Sequence, residues 1–350
     1  MSEQRRVGVG IIGAGIESIF DISKKNAEHC AAKFNILHCA NTAEDVINHP
    51  AVDVVFVLTS DDCHESMAVS VLRAGKFVMV EKPLTLSTAS AERIIAAEKL
   101  ASSSPRVFVG YMRRYAPSYV NAFKRELESI PRILYARVRD FSGPNAKFVD
   151  ESGTFQVKNT DFPPNSGTER DARLDSLFKE AFPGQEITDE KRQMCRFLGS
   201  LGSHDISLMR ETLGFPEAVT AVTANDPFYS ALFSYRNKDG TPFSVTYESG
   251  IDQVPVFDAH IAVYGAKKRV IIKYASPYVK GLPITVEVEE LNEAGEIQRR
   301  EVLSSYEDAY TAELKALYDF VVNGKSIKNT VEDASQDLKI YDWMYKVKFP

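Results

Sequence analysis

The chain has 350 residues, of which 44% are hydrophobic and 26% charged, and its formal net charge is −6 at pH 7. This length is too great for one ordinary hydrophobic core and predicts two domains. The acidic balance excludes a typical nucleic-acid-binding protein, which needs a basic face. No apolar run approaches the roughly 20 residues of a membrane span. We therefore expect a cytoplasmic protein without nucleic-acid or membrane partners.

The cysteines show neither a disulfide framework nor a metal site. They form no Cys-x-x-Cys pair and no cluster with zinc-ligand spacing. We expect reduced thiols and no bound metal. The four positions are Cys30, Cys39, Cys63 and Cys195.

The first part of the chain, assigned here to a domain of residues 1–115, alternates short apolar runs with stretches rich in Ala, Glu and Lys. Strands that are apolar throughout and separated by helices are typical of a parallel sheet covered on both faces. The sequence therefore predicts an α/β domain. The apolar runs are Val7–Ile12, Val52–Thr59, Phe77–Val80 and Val107–Tyr111.

The sequence pattern of residues 116–350 predicts a second, α+β domain with a mostly antiparallel sheet. Within them, residues 142–197 are dense in Gly, Pro, Asn, Ser and charges, with one helical patch near Ala172–Ala181. We expect a long surface excursion there, either a functional lid or a plain insertion. The strand-like segments are Ile133–Phe141, Ala218–Thr223, Phe228–Tyr235, Phe243–Glu248, Ala259–Tyr264, Val270–Tyr274 and Ile284–Glu289.

Glycines follow the first predicted strand as Gly13-Ala14-Gly15. Such a turn lets the backbone approach a dinucleotide pyrophosphate. A helix, a second strand and an acidic residue about 20 positions on should follow, yet Asp21 comes after only five intervening residues. Since a crossover needs at least about 10 residues, we infer that a helix and part of a strand have been lost. If Asp21 still reaches the ribose, its charge favours NAD over NADP.

The strongest local signal is a strand that runs into Glu81-Lys82-Pro83. Another strand, Val55–Ser60, has Thr59 and Ser60 at its carboxyl end and runs into Asp61, Asp62 and His64. Ligands of doubly wound sheets bind at the carboxyl ends of the strands. We therefore predict that these residues lie beside a bound cofactor.

Together with Arg113-Arg114-Tyr115 and Leu201-Gly202-Ser203-His204-Asp205, these segments resemble the Gfo/Idh/MocA oxidoreductases, the family of glucose–fructose oxidoreductase and inositol dehydrogenase. The resemblance implies an N-terminal Rossmann domain with NAD or NADP and a C-terminal domain with an open, mostly antiparallel sheet. It also implies oxidation or reduction of a carbon in a sugar, polyol or related small molecule. Pairing of the open sheets in a homodimer is a further expectation.

The resemblance also implies residue roles. Lys82 matches the lysine that contacts substrate hydroxyl and nicotinamide, and His204 matches the histidine that takes the hydroxyl proton. A histidine that titrates near neutral pH suits this task, and an ammonium stabilises a developing alkoxide. His64 matches a position near the cofactor, with a structural role as the alternative.

Three residues are candidates for the substrate cleft. Arg113 and Tyr115 either line the substrate cleft or make a purely structural pairing at the hinge between the domains. Asp205 is a further candidate, although its place at a helix start also suits a cap.

One departure concerns the residue four positions before His204. Family members often carry an aspartate there, and this chain has Ser200. With the short connection before Asp21, this leaves a second hypothesis open, in which the chain is a catalytically impaired isoform or a sensor-type binding protein. A redox-assisted glycoside hydrolase is a third option within the same resemblance.

Overall fold

The computed structural model describes residues 9–12, 17–152, 157, 159–279 and 281–350, the first of these ranges by its backbone alone. The strands are, in chain order, β1 (Val9–Ile12), β2 (Ser18–Phe20), β3 (His38–Cys39), β4 (Val54–Val57), β5 (Phe77–Glu81), β6 (Val107–Gly110), β7 (Ile133–Ser142), β8 (Ala218–Asn225), β9 (Phe228–Arg236), β10 (Pro242–Ile251), β11 (Phe257–Gly265), β12 (Lys268–Tyr274), β13 (Thr285–Leu291) and β14 (Ile297–Val302). The α-helices are, in chain order, α1 (Lys24–Phe34), α2 (Ala43–Ile47), α3 (His64–Arg73), α4 (Thr88–Ala101), α5 (Lys124–Glu128), α6 (Asn145–Glu151), α7 (Ser166–Ala181), α8 (Asp189–Phe197), α9 (Ser203–Leu213), α10 (Ala309–Asn323) and α11 (Val331–Lys348).

The chain folds into two compact units. The first comprises the described parts of residues 1–110, 157–199 and 314–338, and the second those of 111–156, 200–313 and 339–350. The packing thus differs from the predicted division at residue 115, because two later segments pack in the first unit. Phe320 illustrates this, since its ring centre lies 5.3 Å from that of Phe77.

The first unit contains a six-stranded sheet in the order β3-β2-β1-β4-β5-β6, and every described strand pair in it is parallel. This is the strand order of a doubly wound dinucleotide-binding domain, which confirms the predicted fold class. The central strands are apolar because helices cover both faces. Val55, Val80 and Phe108 are accordingly fully buried.

The helices of this sheet begin at capping residues. The side chain of Ser23 accepts the Asn26 N–H at the start of α1, and the side chain of Ser87 accepts the Ser90 N–H at the start of α4. Such caps satisfy backbone donors that the helix cannot pair. The helix starts are therefore set locally.

The connection between β1 and β2 is unusually short. These strands are parallel neighbours, yet only residues 13–17 separate them, fewer than a crossover with a helix needs. The inferred loss of a helix stays a prediction. Gly13, Ala14 and Gly15 themselves lie outside the described residues.

The second unit contains an eight-stranded sheet in the order β14-β13-β12-β11-β7-β10-β9-β8. Its strands pair antiparallel except for β7 and β10, which are parallel. The predicted, mostly antiparallel sheet is therefore confirmed. Side chains alternate between faces: in β9, Ala231 and Phe233 are buried whereas Leu232 is exposed.

The excursion at 142–197 is more ordered than expected. Besides α7, which covers the predicted patch, it contains α6 and α8. Residues 157–199 pack in the first unit. There the Arg173 guanidinium pairs with Asp62 at 2.7 Å, and the Ser87 hydroxyl donates to Glu180. This part of the excursion is thus an integral layer of the first unit.

Candidate functional site

A cavity of about 620 Å³ lies in the first unit at the carboxyl ends of β2 and β4. Parallel strands present their carboxyl ends at one edge, where doubly wound sheets bind ligands. The structure thus brings together three of the predicted cofactor residues, Asp21, Thr59 and Ser60. The cavity is lined by Phe20, Asp21, Ile22, Asn26, Ala43, Leu58, Thr59, Ser60, Cys63, Met67, Phe162, Pro163, Ser166, Gly167, Glu169, Arg170 and Arg173.

Asp21 follows β2 directly and is held by its own turn. The backbone N–H of Ser23 donates to Asp21 Oδ1 at 2.7 Å. This bond orients the carboxylate, whose acceptor capacity exceeds one hydrogen bond. The group can therefore accept hydroxyls of a bound ligand.

The loop after β4 carries a polar network next to the cavity. Ser60 and Arg173 donate to the buried carboxylate of Asp62. Burial alone would raise the pKa of Asp62, but these hydrogen bonds hold it below its usual value. Burial and the neighbouring Asp62 raise the pKa of Cys63 to about 11. Cys63 is therefore expected to be a neutral thiol at physiological pH.

Thr59 presents an unsatisfied group. Its Oγ1 is buried and has no hydrogen-bond partner among the described residues. A buried hydroxyl in this state costs about 1–3 kcal/mol. A ligand that supplies a partner is therefore favoured.

His64 joins the turns after β4 and β5. Its ring is buried, with Nδ1 at 2.7 Å from the Pro83 carbonyl oxygen and Nε2 at 3.1 Å from that of Thr59. Burial lowers the pKa of His64, so the ring is neutral near pH 7 and donates one N–H. We place that N–H on Nδ1 because the contact with Pro83 is shorter. His64 thus contacts the backbone of both turns that carry predicted cofactor residues.

The Glu81-Lys82-Pro83 segment forms the carboxyl end of β5. The Lys82 backbone N–H donates to Glu81 Oε2 at 3.1 Å, and the Lys82–Pro83 peptide bond is cis. Burial raises the pKa of Glu81. A Cβ added at Gly110 would meet Glu81 at 3.2 Å, so the glycine in the neighbouring strand leaves room for this carboxyl. The half-buried Lys82 side chain therefore projects from a fixed turn.

In the second unit, Arg113 is at the centre of a buried ion cluster. Its guanidinium is 4% exposed and donates to Asp205 at 2.6 Å and to Asp140 at 2.8 Å. The rings of Phe257 and Tyr274 lie 5.8 and 5.3 Å from its carbon centre. Of the two predicted interpretations, the contacts favour the structural pairing.

Asp205 is a member of this ion cluster and does not act merely as a helix cap. It is buried in the first turn of α9, and its Oδ1 accepts the Arg113 hydrogen bond. Asp140 was not predicted. Its signal in the sequence is a charge in the buried register of β7, where Val138 and Ser142 share its face.

The other two predicted residues of this unit are half-buried. His204 precedes Asp205 in α9, and Tyr115 ends the short 3₁₀ helix Met112–Tyr115. Lys82 belongs to the first unit and His204 to the second. Their common action on a substrate therefore stays a prediction.

Within the described ranges, no three His, Cys, Asp or Glu side chains are arranged to hold a metal ion. None of the helices in that part of the chain combines the length and apolar character needed to cross a bilayer.

The sheet order and the edge cavity of the first unit define a Rossmann-type dinucleotide-binding fold. Residues 7–111 match the profile of an oxidoreductase family with an NAD-binding Rossmann fold, GFO_IDH_MocA. This match, to residues 7–111 only, confirms the resemblance to the Gfo/Idh/MocA family seen in the sequence.

Curated relatives extend this match. The chain is 32% identical over 144 residues to scyllo-inositol 2-dehydrogenase (NAD(+)) of Bacillus subtilis, covering 40% of this chain and 42% of the relative. It is 36% identical over 123 residues to inositol 2-dehydrogenase 1 of Saccharopolyspora erythraea, covering 34% and 35%. The matched part thus spans less than half the length of these relatives.

Solved structures resemble the chain over nearly its whole length. Levoglucosan dehydrogenase in complex with NADH and levoglucosan gives a TM-score of 0.70 at 16% identity, covering 97% of this chain and 96% of that one. Aldose-aldose oxidoreductase of Caulobacter crescentus gives 0.67 at 19% identity, covering 98% and 97%. At these identities the likeness establishes the fold.

Proposed function

We propose that this protein is an oxidoreductase that transfers a hydride between a nicotinamide dinucleotide, NAD or NADP, and a hydroxyl or carbonyl carbon of a carbohydrate-like small molecule. The observation that carries the proposal is the cavity of about 620 Å³ with Asp21 and Thr59 in its wall. Its place at the carboxyl edge of the sheet is where doubly wound folds bind dinucleotides. Its volume lies within the usual range of ligand pockets.

The residues of this edge fit such a cofactor. Asp21 would accept ribose hydroxyls, and the unpartnered Thr59 Oγ1 would gain a hydrogen-bond partner. Gly13 and Gly15 are proposed to approach the pyrophosphate. When bound, the nicotinamide ring supplies the acceptor or donor of the hydride.

Lys82 is proposed to act on the substrate oxygen. Loss of a hydride from a carbinol leaves an oxygen on which negative charge develops, and an ammonium group stabilises that charge. The turn that carries Lys82 is fixed because its own N–H is bound by Glu81 and its following residue, Pro83, by His64. The backbone from which the lysine side chain extends is thus held before the substrate arrives, and such preorganisation favours a large electrostatic effect.

His204 is proposed to take the hydroxyl proton as a general base. Ser200 cannot hold an imidazolium as a carboxylate would. The adjacent Asp205 is bound to Arg113. We therefore propose His204 as the general base, with a serine in place of the carboxylate that family members often carry four positions before it.

The substrate class follows from the relatives, which are named for inositols and, among the structures, for levoglucosan. These molecules share ring carbons that carry hydroxyls. We propose a polyol or sugar substrate for this chain, with NAD favoured through Asp21. A homodimer and a cytoplasmic location are part of the same proposal.

Turnover tests the proposal directly. The full chain is incubated with NAD or NADP and a panel of inositols, levoglucosan and aldoses, and the absorbance of reduced nicotinamide is followed. We expect at least one substrate to be oxidised, and Lys82→Ala to lower kcat by about 100-fold or more.

The matched control is Lys99→Ala. Lys99 is a lysine of the same unit that is 69% exposed and 3.9 Å from Glu332. Turnover that survives in Lys82→Ala removes Lys82 from the reaction. Saturable binding without turnover by any panel member supports the impaired or sensor-type hypothesis instead.

A further inference from the structure

Part of the excursion forms one wall of the cofactor cavity. We call residues 159–173 the cap segment. It lies far from the strands of the first sheet in sequence but packs in the same unit. It shares the lining of the cavity with Asp21 and the loop after β4. The cap segment contributes Phe162, Pro163, Ser166, Gly167, Glu169, Arg170 and Arg173 to the lining.

The cap segment is anchored on the β2 side of the cavity. Asp161 accepts the Ser23 hydroxyl at 2.6 Å and the Lys25 backbone N–H at 3.0 Å, at the start of α1. The Asn159 amide donates to the Asn26 side chain at 2.7 Å. The start of the segment is thus bound to the helix that follows Asp21.

The other end is anchored on the β4 side. Arg173 donates to the fully buried Asp62 side chain at 2.7 Å. Hydrogen bonds to buried charged groups contribute more than neutral ones. Since both ends are bound across the cavity, the residues between them are held over it.

The cavity walls differ in chemistry. Leu58, Cys63 and Met67 provide an apolar side. On the cap segment, Phe162 is an aromatic ring that is 45% exposed. Aromatic rings of this kind stack on nucleobases. An apolar slot closed by a ring suits a planar base such as adenine.

Arg170 is the distinctive charge of the cap segment. It lines the cavity with Asp21. Unlike Arg173, it makes no hydrogen bond or ion pair within the described part of the chain. A guanidinium facing a ligand cavity is suited to bidentate binding of a phosphate. It also counters the repulsion that Asp21 exerts on an anion at the ribose.

We propose that the cap segment closes the adenosine end of the dinucleotide site and that Arg170 binds a 2′-phosphate there, so that the chain accepts NADP as well as NAD. This inference rests on the proposed function, whose cofactor it specifies. Asp21 favours the ribose of NAD, and Arg170 favours the phosphorylated ribose of NADP. The choice between NAD and NADP therefore depends on a residue of the excursion, which is not one of the strands or helices that build the parallel sheet.

The experiment uses two probes that differ only at the 2′ position, adenosine 5′-monophosphate and adenosine 2′,5′-bisphosphate. Binding of each to the full chain is measured by titration calorimetry. Arg170→Ala is expected to weaken the bisphosphate by about 10-fold to 100-fold and the monophosphate by less than about 2-fold. Phe162→Ala is expected to weaken both by the same factor, about 10-fold.

The control variant is Lys179→Ala, a cation on α7 that does not line the cavity. Circular dichroism confirms that each variant is folded. Unchanged bisphosphate affinity in Arg170→Ala overturns the proposal. Equal weakening of both probes also overturns it, because Arg170 would then bind a group common to both.

These probes contain no nicotinamide, so their binding is independent of hydride transfer. A chain that binds the bisphosphate through Arg170 but oxidises no substrate refutes the proposed function alone. A chain that oxidises substrates while Arg170→Ala changes nothing refutes the cap assignment alone. A wild type that binds neither probe refutes the cap assignment whatever the turnover.

Discussion

Replacing Arg113 by methionine tests whether this residue supports the second unit or only contacts substrate. Arg113→Met keeps most of the side-chain volume and removes the charge. In the structure this leaves Asp140 and Asp205, both essentially buried, without their shared guanidinium. The perturbation therefore removes the shared counter-charge of two buried carboxylates.

The expected size of the effect follows from that burial. Removing one partner of a buried ion pair costs about 3–5 kcal/mol, because an uncompensated charge stays in a medium of low dielectric constant. For a unit of this size, about 1 kcal/mol lowers the unfolding temperature by about 2–4 °C. We therefore expect the second unit of Arg113→Met to unfold about 6–20 °C lower than the wild type.

The assay uses the single tryptophan of the chain. Trp343 lies in the second unit, where its ring packs against Phe215 at 5.4 Å. Its fluorescence during heating thus follows this unit. Arg236→Met is the matched control because Arg236 pairs with Glu217 on the surface, where ion pairs contribute little.

Two results refute the reasoning. If Arg113→Met unfolds with the wild type and only KM rises, Arg113 is a substrate ligand and the cluster is not a support. If the triple variant Arg113→Met, Asp140→Asn, Asp205→Asn is no more stable than Arg113→Met, the loss does not come from uncompensated carboxylates.

Two further predictions concern pH. Hydrogen bonds from Arg300 and Lys268 hold the pKa of Glu126 at about 2, so its stabilisation is present above its usual pKa of 4.5 and is lost as the pH falls from 4.5 towards 2. Glu126→Gln is therefore expected to destabilise the second unit by about 2–3 kcal/mol at pH 7 and by much less at pH 3. Unfolding in urea, followed by tryptophan fluorescence, measures this loss. A stability difference between variant and wild type that does not depend on pH contradicts the prediction. Burial lowers the pKa of His64 below 6.5, so the first unit is expected to lose stability as the pH falls below 6.5, where only the unfolded chain binds the proton. Amide hydrogen exchange should show this loss in the wild type and not in His64→Gln, and equal slopes in both would remove His64 as its source.

The parallel sheet could be predicted because its signal is local. Val54–Val57 and Val107–Gly110 are apolar throughout, as strands covered on both faces must be. β14 was missed because Ile297–Val302 is a mostly exposed edge strand. A strand of that kind needs no apolar alternation, and its sequence, Ile-Gln-Arg-Arg-Glu-Val, resembles a surface loop.

The helices of the excursion were missed for a similar reason. α8 reads Asp-Glu-Lys-Arg-Gln-Met-Cys-Arg-Phe, and its few apolar positions become informative only when the partner surface is known. Among the buried contacts of α8, Cys195 Sγ approaches the Leu86 carbonyl, a residue more than 100 positions away in sequence. Packing across such distances leaves no periodic signal.

Those residues of the candidate site that directly follow a strand could be predicted from the sequence. The positions of Asp21, Thr59 and Lys82 at the carboxyl edge of the sheet were predictable because each follows a strand. Their roles stay predictions. The cluster around Arg113 and the cap segment were not found. The partners of Arg113 lie 27 and 92 residues away. Arg170 lines the same cavity as Asp21 although it belongs to a segment whose composition is that of a surface insertion.

The most direct test of the account is a titration of the purified full chain with NADH, followed by nicotinamide fluorescence. We predict a saturable signal with a dissociation constant in the micromolar range, because we propose that the edge cavity of the first unit holds part of the dinucleotide. A flat titration of a chain that circular dichroism shows to be folded would contradict the account.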